Sequence, residues 1–496
     1  MNSTFERSAA LAAAALGALL AGSAGARDGS PRLVLEPCRL EHPLGAGSVA
    51  ARCGILEVPE NPDEPDGRRI GLAVAVIPAI STRAEPDPLF LLAGGPGQGA
   101  RETFVPYLPA LAGVRRSRDL VLVDQRGTGE SNRLACDMPE ETLSEASLPP
   151  EKLGELTKEC LGALPGDPRY YTTSVAVRDL EAVRAALGYE RVNLYGGSYG
   201  TRVAQHYARR YPARTRSVVL DSSVPPGLAL GPGMALDAEA ALRAGFARCA
   251  GEDACRDRFG DLDSAFDALR ARLADGPVTV RLTDPVSGET SEVEFTDGHL
   301  SLAVRLLSYS APTAGLLPLL IHEAHSRGNF APLAAQAEMV GDMLGESIAY
   351  GMHNAVVCTE DLPFVDAGAI DREALRQSYL GEQMLEGLEA MCAVWPRGVL
   401  DADLREPLAS DVPALLLSGS LDPVTPPAYG TAAAAGFRDH LHVIFEGQGH
   451  LQLGLPCAQR LLRRFLEAGT ASGLDAACAQ EVKPVPFFLG FNGGAP

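Results

Sequence analysis

The stretch that most constrains how this chain can fold is Arg191–Pro212, RVNLYGGSYGTRVAQHYARRYP. Val192, Leu194 and Tyr195 form a short run fit for a buried strand, and the stretch closes on residues of helical composition, so the chain must reverse at Gly197-Ser198-Tyr199. Gly196-Gly197-Ser198-Tyr199-Gly200 matches G-x-S-x-G, in which a serine occupies a strained strand-to-helix turn with its hydroxyl projecting outward. Only residues of almost no volume fit two places before and after that serine, where strand and helix nearly touch; Gly196 and Gly200 supply them. The helix that follows aims unpaired N–H groups and the positive end of its dipole at the serine, which makes Tyr199 N–H a candidate oxyanion donor. A glycine-rich turn with an incidental serine would carry the same pentapeptide, but the flanking strand and helix favour a nucleophile.

The remaining bounds come from length, charge and cysteines. A chain of 496 residues, 46% hydrophobic and 21% charged, is long enough for roughly two or three units. Residues 1–26 read as an export signal: Arg7 precedes the apolar run Ala9–Leu20, too short to span a membrane, and Ala24-Gly25-Ala26 matches a cleavage site. No later stretch approaches ~18 uninterrupted apolar residues, so a mature chain without a membrane span, periplasmic or secreted, is expected. Ten cysteines, an even number in an exported chain, argue for disulfides. The simplest connectivity pairs chain neighbours: Cys38 with Cys53, Cys136 with Cys160, Cys249 with Cys255, Cys358 with Cys392, and Cys457 with Cys478. Zinc is the rival use of cysteine, but C-x-x-C is absent, and HEAHS at His322 lacks the second histidine of H-E-x-x-H. No metal and no cofactor is expected. A net charge of −20 makes nucleic acid and anionic membranes poor partners, and would attract a cationic group such as a free α-amino terminus. Solubility alone would produce the same acidity.

Along the chain, Arg27–Ala51 reads as an irregular lead-in. Ile55–Pro59 and Ile70–Pro78 read as strands joined by NPDEPDG, and Pro88–Ala93 as a central strand ending at Gly94-Gly95-Pro96-Gly97-Gln98-Gly99. A loop so stripped of side chains permits close backbone approach, and Gly95 N–H is the second candidate oxyanion donor. Asp119–Val123 is the next strand; in the DQRGTGES that follows, Asp124 and Arg126 are expected to hydrogen-bond to loop backbone. Ser174–Leu187 has helical periodicity, and Ser217–Leu220 is another strand. Strands alternating with helices predict a mainly parallel sheet covered on both faces. From about Pro226 to Leu404 the pattern turns helical, interrupted by one hairpin, Val278–Phe295, and such an insertion would cap the active edge. Val412–Ser418, Leu441–Phe445 and the helix Gln459–Ala468 then restore the α/β rhythm. The expected units are a first core part over 27–226, a helical cap over 227–404 and a second core part over 405–496.

Two loops complete the chemistry. SGSLDPVTP places Asp422 just past a buried strand, and EGQGH places His450 just past the last one. The order Ser198, Asp422, His450 is the one this strand arrangement requires: His450 as general base, Asp422 fixing its tautomer. Asp221, at the end of the preceding strand, is the rival acid. His440 and His442 read as structural, and His206 as facing packing of its own on the elbow helix.

Taken together, GGPG at Gly94–Gly97, DQRGTGES at Asp124–Ser131, GGSYGT at Gly196–Thr201, SGSLDPVTP with Asp422 and GQGH with His450 resemble the α/β-hydrolase family of prolyl and tripeptidyl aminopeptidases. HNAVVCTED at His353–Asp361 and the cysteines resemble its secreted tripeptidyl-aminopeptidase branch. The resemblance implies an α/β-hydrolase fold with a mostly helical cap inserted after the sixth strand, an acyl-enzyme on Ser198, and peptide substrates with a free N-terminus. In such relatives cap carboxylates bind that terminus, which makes Glu360 and Asp361 candidates here. Prolyl members usually carry histidine before GGPG; this chain has Ala93. An esterase or lipase on the same triad, and a catalytically silent binding protein on the same scaffold, stay open.

Overall fold

The computed structural model describes residues 33–136, 148–231, 233–283 and 287–494; the signal-like segment 1–26 lies outside the described residues. Strands β1 (Glu36–Glu41), β2 (Ser48–Pro59), β3 (Arg69–Ile77), β4 (Leu89–Leu92), β5 (Leu120–Val123), β6 (Val192–Gly197) and β7 (Thr215–Asp221) precede a separate hairpin, β8 (Val278–Thr283) and β9 (Thr290–Phe295). The last two strands are β10 (Ala414–Gly419) and β11 (His440–Phe445). Among the described residues one nine-stranded sheet runs β1-β2-β3-β5-β4-β6-β7-β10-β11. It is antiparallel from β1 to β5 and parallel from β5 to β11.

LFLL, LVLV and ALLLSG of β4, β5 and β10 are buried throughout, as expected of parallel strands covered on both faces. Against one face pack Val177, Leu180 and Val183 of the helix Thr173–Leu187, with Val203 and Tyr207 of the elbow helix Tyr199–Arg210. Phe104, Leu111, Leu461 and Phe465 cover the other. Since every parallel strand points the same way, the loops after β4, β6, β7, β10 and β11 gather on one edge.

The segment 27–51, read as irregular, holds β1 and the start of β2. In EPCRLE only Leu40 is buried, because an edge strand has one partner and little core to face, so it carries charge and proline rather than alternation. Counting β1, the helical excursion follows the seventh strand of the chain. All five cysteine pairs join chain neighbours as expected. No helix among the described residues is long and apolar enough to cross a membrane.

Residues 227–404 divide most of their apolar contacts between two cores, with Cys358 and Trp395 in a small third cluster beside Cys160. Leu242, Phe246, Phe266, Phe295, Leu320 and Leu385 form a cluster separate from the sheet, and Phe487 of the C-terminal tail joins it. Arg248 lies 3.7 Å from the Phe487 ring centroid, and Phe488 N–H donates to the Gly315 carbonyl at 3.0 Å, so the tail straps the cap. Ala349, Met352, Ala355 and Val356 instead pack into the cluster that holds the elbow helix.

Candidate active site

The elbow is built from backbone contacts that cannot yield. Ser198 has φ 54° and ψ −125° between β6 and the elbow helix, a conformation that costs about 1–3 kcal/mol and needs its surroundings to hold it. Ser198 N–H donates to the Asp221 carbonyl at 2.9 Å, tying the turn to β7. A methyl group at Gly196 would sit 2.3 Å from the Gly200 carbonyl oxygen, and one at Gly200 2.2 Å from that of Leu92. Ser222 and Leu451, in the neighbouring loops, also have positive φ, and Leu451 N–H donates to Ser222 Oγ at 2.8 Å.

Asp422 and His450 meet as one unit. His450 Nδ1 lies 3.0 and 2.9 Å from the two Asp422 oxygens. The carboxylate also accepts from Val424 N–H, Thr425 N–H and Thr425 Oγ1. Burial works against its charge, but His450 and these donors outweigh it and hold Asp422 below the usual carboxylate range. Burial likewise works against charge on His450, and Asp422 outweighs it, so the imidazole is raised above its ordinary value.

The rival acid does a different job. Asp221 accepts from Gln452 N–H at 2.8 Å, Leu453 N–H at 3.0 Å and Tyr195 OH at 2.5 Å, clamping the backbone that follows His450. Burial pushes Asp221 up to about 6.

Ser198 and His450 line one cavity of about 370 Å³, without a hydrogen bond between them in this conformation. The bond between a hydroxyl and its general base tightens in the reacting complex. Gly94 packs so close that a methyl there would lie 3.0 Å from Ser198 Cβ. The cap touches the histidine directly: His450 N–H donates to the Tyr309 carbonyl at 2.6 Å, and the Tyr309 ring meets the imidazole edge-on at 5.3 Å. The cap's share of the cavity lining is largely apolar, with Leu230, Met234, Leu306, Met384, Leu388 and Met391; Arg305, His353 and Gln383 add polar groups.

Glu360 and Asp361 lie elsewhere than the resemblance implies. Both are fully buried beneath the elbow helix and neither lines the cavity. Asp361 pairs with Arg202 at 2.7 and 3.1 Å and accepts from Leu230 N–H. Glu360 accepts from Thr173 N–H and Thr173 Oγ1 at 2.7 and 2.8 Å and meets Arg202 at 3.4 Å. Burial pushes Glu360 up to about 7. A buried guanidinium needs carboxylates, so Arg202, inside an otherwise packed helix, was the signal that could have assigned this pair. Thr425, Tyr309 and His353 were missed; of these only Thr425, three residues after Asp422, carried a local hint.

The other polar residues hold structure. Asp124 accepts from Arg101 N–H and Glu130 N–H. Arg126 donates to the carbonyls of Glu60 and Tyr170 and forks onto Asp179. His206 bonds Asp401 at 2.8 Å, His442 bonds Ser418 Oγ at 2.9 Å, and His440 bonds the Phe437 carbonyl.

Residues 87–248 match the model described as alpha/beta hydrolase fold, and residues 377–478 the model described as TAP-like protein. The chain belongs to the α/β-hydrolase family. Within that family it is similar to serine protease Hip1 of Mycobacterium tuberculosis, 26% identical over 95% of this chain and 96% of that one. The tripeptidyl aminopeptidase of Streptomyces coelicolor is 31% identical over 43% of this chain and 41% of its own length. Carboxylesterase B of Mycobacterium tuberculosis is 27% identical over 86% of each chain. This α/β hydrolase is a serine hydrolase.

Proposed function

We propose that the chain is an exported serine peptidase of aminopeptidase type, releasing single residues or short peptides from free N-termini through an acyl-enzyme on Ser198. Ser198 Oγ attacks the scissile carbonyl carbon while its proton passes to His450 Nε2, and Asp422 steadies the imidazolium through Nδ1–H. The tetrahedral oxyanion is held by Tyr199 N–H and Gly95 N–H, each worth about 2.7–4 kcal/mol of barrier. His450 hands the proton to the departing amine, and water then takes the same route to cleave the ester and restore Ser198.

The observation that carries this reading is the Asp422-bound imidazole and the elbow serine sharing a cavity of about 370 Å³ under the cap. A pocket of that size takes a ligand of drug-like dimensions, hence the end of a peptide rather than the middle of a folded chain. The printed names of the Hip1 and tripeptidyl aminopeptidase relatives favour amide substrates. The signal-like segment and five disulfides support export.

A second reading, an esterase, draws on the apolar cap wall and on the carboxylesterase relative. Parallel assays with peptides bearing free and acetylated N-termini, and with short and long acyl esters, separate the two. Loss of turnover on acetylation supports the aminopeptidase; indifference to it, with faster ester cleavage, overturns it. Labelling by a fluorophosphonate that disappears in Ser198→Ala excludes a silent scaffold.

A further inference from the structure

The loop Gly94–Gly99 carries the second oxyanion donor yet has almost no side chains with which to hold itself. Gly95 has φ +102°, and a methyl group on it would lie 2.8 Å from Gly97 N; glycine enters and leaves that region freely, so neighbours have to hold the loop in this one conformation. Two ties impose it, both from the segment 348–353. Gln98 pairs with Ile348 as an isolated bridge, of which the Ala349 N–H bond to the Gly97 carbonyl at 3.0 Å is a part. The second is His353 Nδ1, 3.1 Å from the Pro96 carbonyl. A carbonyl oxygen only accepts, so Nδ1 carries the proton and donates, whether or not Nε2 is protonated.

The anchor for these contacts is firm. Ala349, Met352, Ala355 and Val356, which flank His353, are fully buried in the core cluster beneath the elbow helix. The segment therefore refers the loop to the body that also sets Ser198, and not to the cap cluster. The bridge is a backbone pairing that most residues could make; the second tie needs a side chain with an N–H at the right reach. Ala93, just before the loop, offers none.

We propose that His353 is a positioning residue for the oxyanion hole: its Nδ1–H fixes the Pro96 carbonyl and so keeps Gly95 N–H aimed at the oxygen that gains charge. The inference rests on the acyl-enzyme reading of Ser198. His353 also lines the cavity, so a direct contact with substrate is the competing role, and kinetics separate the two.

The experiment uses the full-length enzyme and its His353→Ala and His353→Asn variants with p-nitrophenyl acetate, a substrate too small to reach far along the cavity. Complete removal of an oxyanion donor costs ~10²–10³-fold; a misaimed one should cost about ten- to a hundredfold in kcat with KM changed less than twofold. An alkyl boronate, which forms a tetrahedral adduct on Ser198, should lose affinity by the same factor, while a ground-state competitor such as the product acid keeps its own. Asn, whose side-chain N–H can reach the Pro96 carbonyl, should recover most of the loss. Unchanged kcat, a raised KM with kcat intact, or an Asn variant no better than Ala overturns the inference. Fluorophosphonate labelling keeps the two readings apart: wild type that labels while both variants label equally fast sinks the role of His353 alone. Wild type that fails to label sinks the acyl-enzyme itself.

Discussion

At the sheet edge, backbone meets backbone: a single methyl at Gly196 or Gly200 would come within 2.3 or 2.2 Å of a carbonyl oxygen. Across the cavity the cap presents Leu306, Met384 and Met391, side chains that can change rotamer and exchange volume. The contrast teaches where identity matters. Contacts between backbones leave no freedom of residue type, whereas an apolar wall asks only for volume and hydrophobicity. Substitutions on the edge should stop the chemistry, and substitutions on the wall should redirect it.

The strongest break is Ser198→Ala, expected to lower kcat by ~10⁴–10⁶-fold and to abolish fluorophosphonate labelling while thermal denaturation moves little. Retained labelling would place the nucleophile elsewhere and remove the edge from the comparison.

Next comes Asp422→Asn, with a loss of ~10⁴-fold and a change in pH dependence. His450 must be neutral to accept the Ser198 proton, and Asp422 raises it above its ordinary value of 6.5. Activity should therefore climb with pH through a midpoint above 6.5, and in the variant that acid limb should move to lower pH. A limb that stays in place would hand the role to another acid, with Asp221 the first to test.

On the wall, Leu306→Ala should weaken kcat/KM for substrates with a bulky apolar acyl group about 10- to 200-fold and leave small acyl esters nearly untouched. A uniform loss across acyl sizes would show that the cap supports the catalytic edge rather than sorting substrates.

The smallest effect on activity belongs to Glu360→Gln, beneath the elbow. Because Glu360 is raised from 4.5 to about 7 by burial, the folded state binds more protons than the unfolded one between those values. Stability should then fall as pH rises from about 4.5 to 7, by on the order of 3 kcal/mol from this group. Denaturant titrations of the variant should show that fall flattened, leaving the smaller contribution of Asp221 between 3.8 and about 6. A steep activity loss would instead return Glu360 to the substrate's side of the helix.

Legibility followed the same division. Gly196, Ser198 and Gly200 were readable because a strand-to-helix reversal tolerates few residue types, and the Asp422 and His450 loops because each follows a buried apolar run. The cysteine pairs were readable because short loops close at least entropic cost. β1 escaped notice because an edge strand buries almost nothing. Glu360 and Asp361 were misplaced because an acidic pair in a helical stretch looks the same facing water, a ligand or a buried Arg202.

By itself the sequence determined where the inner strands fall along the chain, the elbow and the loops from which a serine, an acid and a base would come, since local sterics and the period of apolar residues dictate those. Only the tertiary structure decided that Asp422 holds the imidazole while Asp221 clamps the backbone beyond it. It also decided that Arg202 takes the two acids offered for a substrate, and that His353 and Tyr309 reach the site from afar. Such pairings depend on which side chains long-range packing brings within about 3 Å, a quantity no local pattern encodes.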